Sequence, residues 1–114
     1  MARSVRIYYS NVSGRVAFNF NINGFDITNR STVLVTAAPV EIHAPPGLGF
    51  PSNFPDEARL NVHGPDVRVS NVVPHGPPAE ATGVEFVLTT DAPTGVAVTI
   101  TLLEPWETAF RVAT

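Results

Sequence analysis

The imidazoles of this chain are His43, His63 and His75. Histidine is the side chain best suited to proton transfer near neutral pH, and neutral imidazole is a common zinc ligand. Two histidines from strands and one from a loop converging on zinc would leave a coordination position open for catalysis. The spacing gives no support for this, because neither H-x-H nor H-E-x-x-H occurs. Glu41 and His43 are two apart and share one face of a candidate strand. Ser70, His75 and Asp91 supply the residue types of a nucleophile, a base and an orienting acid, but no G-x-S-x-G elbow accompanies them. Asp26, Asp56, Glu57, Asp66, Asp91, Glu104 and Glu107 are scattered, and no pair has calcium-loop spacing. Asp56 and Glu57 read as a solvated turn. The "GLG" at 47–49 is flanked by prolines and does not join a strand to a helix, so it is no phosphate loop. With no cysteine there is no thiol nucleophile, thiolate metal site or disulfide. The expectation is a protein that is not an enzyme, with no catalytic residues, no metal site and no cofactor.

A different chemistry is offered by "RVAFNFNING", residues 15–24. Val16, Phe18, Phe20 and Ile22 take every second position, as one face of a β-strand requires. The other face carries Asn19, Asn21 and Asn23, although asparagine is depleted in strands. Amides donate and accept hydrogen bonds. Such a face suits sugar hydroxyls, with Tyr8, Tyr9 and Trp106 as candidate aromatic platforms. It equally suits a subunit contact, because uncharged amides are cheaper to desolvate than charges. A face that simply meets water is the plainest alternative.

The elements that hold these residues are strands. Val5, Ile7 and Tyr9 alternate with Arg6 and Tyr8, and "SNVSG" (10–14) reads as the turn of an N-terminal hairpin with 15–23. "NGFD" (23–26) is a second turn signal. "TVLVT" (32–36), "PVEIHA" (39–44), "ARLNVHG" (58–64) and "DVRVSNV" (66–72) read as short strands. In "VEFVLTT" (84–90), Val84, Phe86 and Leu88 share a side. "DAPTG" (91–95) reads as a strong turn. "VAVTITLLE" (96–104) places Val96, Val98, Ile100 and Leu102 inward, with Ala97, Thr99 and Thr101 outward. "ETAFRVA" (107–113) reads as a final strand. No window shows a clean helical period. The expected fold is all-β: one domain over 1–114, an antiparallel β-sandwich of about eight short strands, jelly-roll or immunoglobulin-like. Two long connections interrupt it, a Pro-rich loop near 44–57 and another near 73–83. The first carries Leu48, Phe50 and Phe54 between prolines, which argues for docking rather than disorder.

Composition narrows the partners. The 114 residues suffice for one domain with a core. Only 15% are charged, below the quarter or so typical of soluble domains, and the cations comprise seven arginines and no lysine. The net charge of −3 is unclustered, so nucleic acid is not an expected partner. No apolar run is long enough to cross a bilayer as a helix, so no membrane is expected, and no secretory leader is visible. Lysine ordinarily guards strand edges against unwanted pairing. A β-protein without it, and with few charges, is expected to bury surface against other protein subunits. The expected function is a structural or assembly protein, homo-oligomeric or part of a capsid lattice, in its most concrete form a virion decoration or cement protein. The alternative is a carbohydrate-binding module or small lectin. The expected contact residues are Asn19, Asn21, Asn23, Leu48, Phe50 and Phe54.

Overall fold

A computed structural model describes residues 2–42, 58–105 and 107–113. The protein is all-β and antiparallel. Its described strands are β1 (Ala2–Asn21), β2 (Thr32–Ile42), β3 (Ala58–Leu60), β4 (Val67–His75) and β5 (Gly83–Leu103). Where the sequence predicts about eight short strands, the described residues form five, because several adjacent segments are continuous. β1 and β5 contain 20 and 21 residues. The 107–113 segment is exposed and belongs to no strand, contrary to expectation.

The merging has a specific cause. "SNVSG" and "DAPTG" do not reverse the chain; they face one another in a single ladder, with Val12 opposite Thr94 and Gly14 opposite Thr90. From the Tyr9–Val96 pair to the Gly14–Thr90 pair, β5 uses one residue more than β1. Turn-forming residues on both strands therefore make a bulge, and Gly14 supplies the left-handed backbone (φ 70°) that a bulge often needs. Bulges bend strands. A straight strand as long as β5 would span about 66 Å, whereas the longest dimension of the molecule is 53 Å. Tyr9 and Phe18 lie on either side of the bulge, about 30 Å apart in a straight strand, yet their ring centroids are 4.3 Å apart.

β5 is the spine. Its C-terminal half pairs with the start of β1 on one side and with β2 on the other; its N-terminal half pairs with the end of β1 and with β4. β2 continues past Pro39 to pair with the short β3. Rows of paired residues share a face. Val5–Ile100–Val35 and Ile7–Val98–Ala37 line the inner face of one half; Phe20–Val84–Pro74 and Val16–Leu88–Val69 line the other. The bend brings both inner faces to one core. Val84, Phe86 and Leu88 from one half join Val96, Val98, Ile100 and Leu102 from the other, with Val12 at the bulge and Ile22 and Ile27 from the 22–31 connection. Phe86 stacks on Phe18 at 5.9 Å and meets Tyr9 edge-on at 6.4 Å.

The expected inward positions on β1 and β5 are therefore the observed ones. From the end of β3 onward the alternation fails: Leu60 and Val62 are exposed, and residues 62–63 form a turn. The side chain of Asn61 accepts from the His63 amide at 3.0 Å, which favours that turn over a longer strand. "NGFD" is the turn expected, with Gly24 at φ 86° and Asp26 at φ 55°. Arg3 ties this connection to the sheet by donating to the carbonyls of Gly24 (2.9 Å) and Phe25 (3.1 Å), with its guanidinium over the Phe25 ring.

Candidate functional site

The outer faces of the two halves differ. On the C-terminal half of β5 the outward rows are Ser4–Thr101–Leu34, Arg6–Thr99–Thr36 and Tyr8–Ala97–Ala38. The Ser4 and Thr101 hydroxyls are 2.8 Å apart, and the Arg6 Nε donates to Thr99 Oγ1 at 2.9 Å. Arg6, Thr36, Ala38, Leu60 and Thr99 line an open depression of about 190 Å³, small beside ordinary ligand pockets.

On the N-terminal half the outward rows are Arg15–Thr89–Arg68, Ala17–Val87–Ser70, Asn19–Glu85–Val73 and Asn21–Gly83–His75. His75 ends β4 and is 6% exposed although it lies on the outer face. Two features bury it. Residues 76–82, which connect β4 to β5, cover it. The ring also reaches over β5, where Gly83 lies beside it, to meet Asn19 of β1. A Cβ at Gly83 would come within 2.6 Å of the Phe20 carbonyl and 2.8 Å of Asn21 Oδ1. The connection itself is fixed by Thr82, whose hydroxyl donates to the Ile27 carbonyl at 2.7 Å, and by Gly76, where any Cβ would overlap that same carbonyl.

The imidazole is held at both nitrogens. Nε2 lies 2.7 Å from Asn19 Oδ1, and Nδ1 lies 2.6 Å from the Ala81 carbonyl. Glu80 Oε2 stands 3.4 Å from Nδ1. A ligand atom from each of His75, Glu80 and Glu85 lies within 4.8 Å of the others. Both glutamates are exposed, so the group is a buried ring with two carboxylates at its rim.

Among the expected contact residues, Asn19, Asn21 and Asn23 are exposed. Asn19 and Asn21 lie on the outer face of β1, with Asn19 engaged by His75; Asn23 belongs to the turn that follows. Leu48, Phe50 and Phe54 lie outside the described residues. The Ser70–His75–Asp91 set is not assembled. Asp91 lies beyond Thr90, eight positions along β5 from the Gly83 that pairs with His75, or about 26 Å of strand. It pairs instead with Arg68 at 3.0 Å. His63 occupies the exposed 62–63 turn, and His43 lies outside the described residues. Glu80 and Glu85 escape a search by spacing, because H-x4-E-x4-E matches no ligand motif. Their approach depends on the β4–β5 register and on the path of the connection.

The end of the chain forms a second notable surface. Glu107 meets Arg30 at 3.4 Å, the Thr108 amide donates to the Arg30 carbonyl at 2.7 Å, and the Thr108 and Thr32 hydroxyls are 2.6 Å apart. Beyond this anchor, Phe110 is 84% and Val112 89% exposed. β1 is also open: it pairs with β5 on one edge, and no described strand covers the other. No family model, curated protein or solved structure matches the chain at a level that would show kinship.

Proposed function

We propose that this protein is a non-enzymatic assembly module that joins other copies of itself through its C-terminal arm. The observation that carries this reading is the arm. Thr108 is fixed to the start of β2, yet the next residues present Phe110 and Val112, two apart, to solvent. Apolar side chains two positions apart are what strand addition uses once such a segment is extended on a partner: backbone bonds supply attachment, and alternate side chains enter pockets. The long edge of β1 is a fitting acceptor. It has no proline, and its charged residues are limited to Arg3, Arg6 and Arg15 along 20 residues. The low charge of the chain points the same way. In this reading "ETAFRVA" becomes a strand on the partner, and period-2 patterning outside any strand of the monomer has a purpose.

The finer architecture fits the same proposal: a sandwich closed by bending one long β1–β5 ribbon, with the arm and the β1 edge available for lattice contacts. A capsid decoration or cement protein is the most concrete form of such a module. The lectin alternative draws less support: Tyr9 packs against Phe18 and Phe86, Tyr8 is on the outer face of the other half from the asparagines, and Trp106 lies outside the described residues. Light scattering on the full chain tests the proposal. It should give a closed multiple of the 12.2 kDa monomer. Replacing Phe110 and Val112 together by Ser should reduce that species to monomer while leaving the strand spectrum unchanged. A wild-type chain that stays monomeric at all concentrations overturns it, as does an oligomer indifferent to both substitutions. Glycan-array binding by the monomer would favour the lectin.

A further inference from the structure

We infer that His75, Glu80 and Glu85 form a binding site for a divalent transition-metal ion of the zinc type. The ring itself supplies the first reason. It is 94% buried, and both of its nitrogens face oxygen atoms, Asn19 Oδ1 at 2.7 Å and the Ala81 carbonyl at 2.6 Å. A neutral imidazole carries one proton and donates once. With these partners the second nitrogen presents a lone pair to an oxygen unless a second proton or a metal ion sits on the ring, and the carboxylates beside it favour either. Turning over the Asn19 amide would also satisfy a neutral ring, so it is the placing of the two carboxylates around this buried ring that points to an ion. The arginines on this outer face, Arg15 and Arg68, occupy the Thr89 row, four positions along β5 from Glu85. Arg68 is already paired with Asp91.

The second reason is geometric. Tetrahedral zinc with bonds of about 2.0–2.1 Å to nitrogen and oxygen sets its ligands roughly 3.3 Å apart. Nδ1 and Glu80 Oε2 are 3.4 Å apart as they stand. Glu85 reaches the same group within 4.8 Å and, being exposed, is free to close the remaining distance. The Ala81 carbonyl lies closer to Nδ1 than two ligands of one ion can, so it must swing outward, leaving a fourth position for its oxygen or for water. With Nδ1 bound to the ion, Nε2–H donates to Asn19 Oδ1. This is the outer partner that metal-bound histidines ordinarily have, and it fixes the tautomer. The ion would tie the end of β4, the 76–82 connection and the start of β5 together, with β1 held through Asn19. This site is independent of the arm, and its test does not involve assembly.

The test is calorimetric titration of chelator-treated full-length protein with Zn²⁺ alone, repeated with Co²⁺ for its visible spectrum. One ion per chain should bind, and Co²⁺ should show the strong absorption of a four-coordinate site. Because His75→Gln disturbs a buried side chain and with it the fold, the discriminating variants are E80Q and E85Q, both at exposed positions. Each should weaken binding at least tenfold, and together they should abolish it. Asn19→Ala should cost about 10–100-fold, the usual penalty for losing an outer partner. Zinc binding that is equal in the wild type and the E80Q/E85Q double variant would be an adventitious ion only and would overturn the assignment. So would the absence of any heat or any four-coordinate Co²⁺ spectrum.

Discussion

The two halves of the bent ribbon share an inner face and differ in the outer one. Inside, both follow the same rule: branched and aromatic residues at every second position, meeting in one cluster around Phe86, Leu88, Val98 and Ile100. Outside, one half pairs hydroxyls and a guanidinium in the open, as in Ser4–Thr101 and Arg6–Thr99. The other half buries an imidazole under a connection and holds it from across β5 through Asn19. Alternation dictates the inner set, because a misplaced side chain there loses its burial. The outer set answers only to its local neighbours, so chemistry can be placed there without disturbing the core.

If the halves share one core, the largest effect should come from Phe86, which contacts rings on both sides of the bulge. Phe86→Ala should cost about 3–5 kcal/mol, and chemical denaturation should still show one transition. Two separate transitions would break the comparison, since the halves would then have independent cores. Gly83→Ala should affect only the histidine half. Its Cβ would press on the Phe20 carbonyl and the Asn21 amide, and overpacking of this kind costs about 1–3 kcal/mol. The His75 ring resonances should shift in the NMR spectrum, while those of Thr99 and Thr101 stay in place.

A smaller effect concerns the junction. Burial raises the Tyr9 phenol above its ordinary pKa. The folded state therefore favours the protonated form, and the associated stability is complete below the unfolded value near 10. It is lost as pH rises through the higher folded value. Tyr9→Phe should remove that alkaline loss while keeping the ring stack with Phe18, as urea midpoints measured across the alkaline range would show. The smallest effect should be Arg6→Ala on the open face, within about 0.5 kcal/mol. A cost as large as that of Gly83→Ala would mean that the open face is as tightly specified as the histidine face.

Period-2 patterning made the inner face legible: Val84, Phe86, Leu88, Val96, Val98, Ile100 and Leu102 all follow from alternation alone. The continuity of β1 and β5 was not legible, because Asn, Asp, Pro and Gly mark a bulge as readily as a reversal. Only the pairing of "SNVSG" with "DAPTG" distinguishes the two, and pairing is a property of the fold. The histidine cluster was hidden for a related reason. Asn19 and His75 are 56 positions apart and meet only because β1 and β4 flank the same stretch of β5. The asparagines raised the right question about what the outer face meets, and for Asn19 the answer is a buried imidazole of the same chain.

The position of the spine has a consequence for how the chain acquires its structure. β5 pairs with β1, β2 and β4, and among the described strands it comes after all three in the sequence. Ala2 pairs with Leu103, across almost the whole sequence. Until β5 leaves the ribosome, those three strands lack the ladder partner they share, and the first eighty or so residues wait with exposed apolar edges. Such long-range pairing makes folding slow and the nascent chain prone to aggregation. Final collapse then depends on one segment arriving late and being captured on both flanks at once.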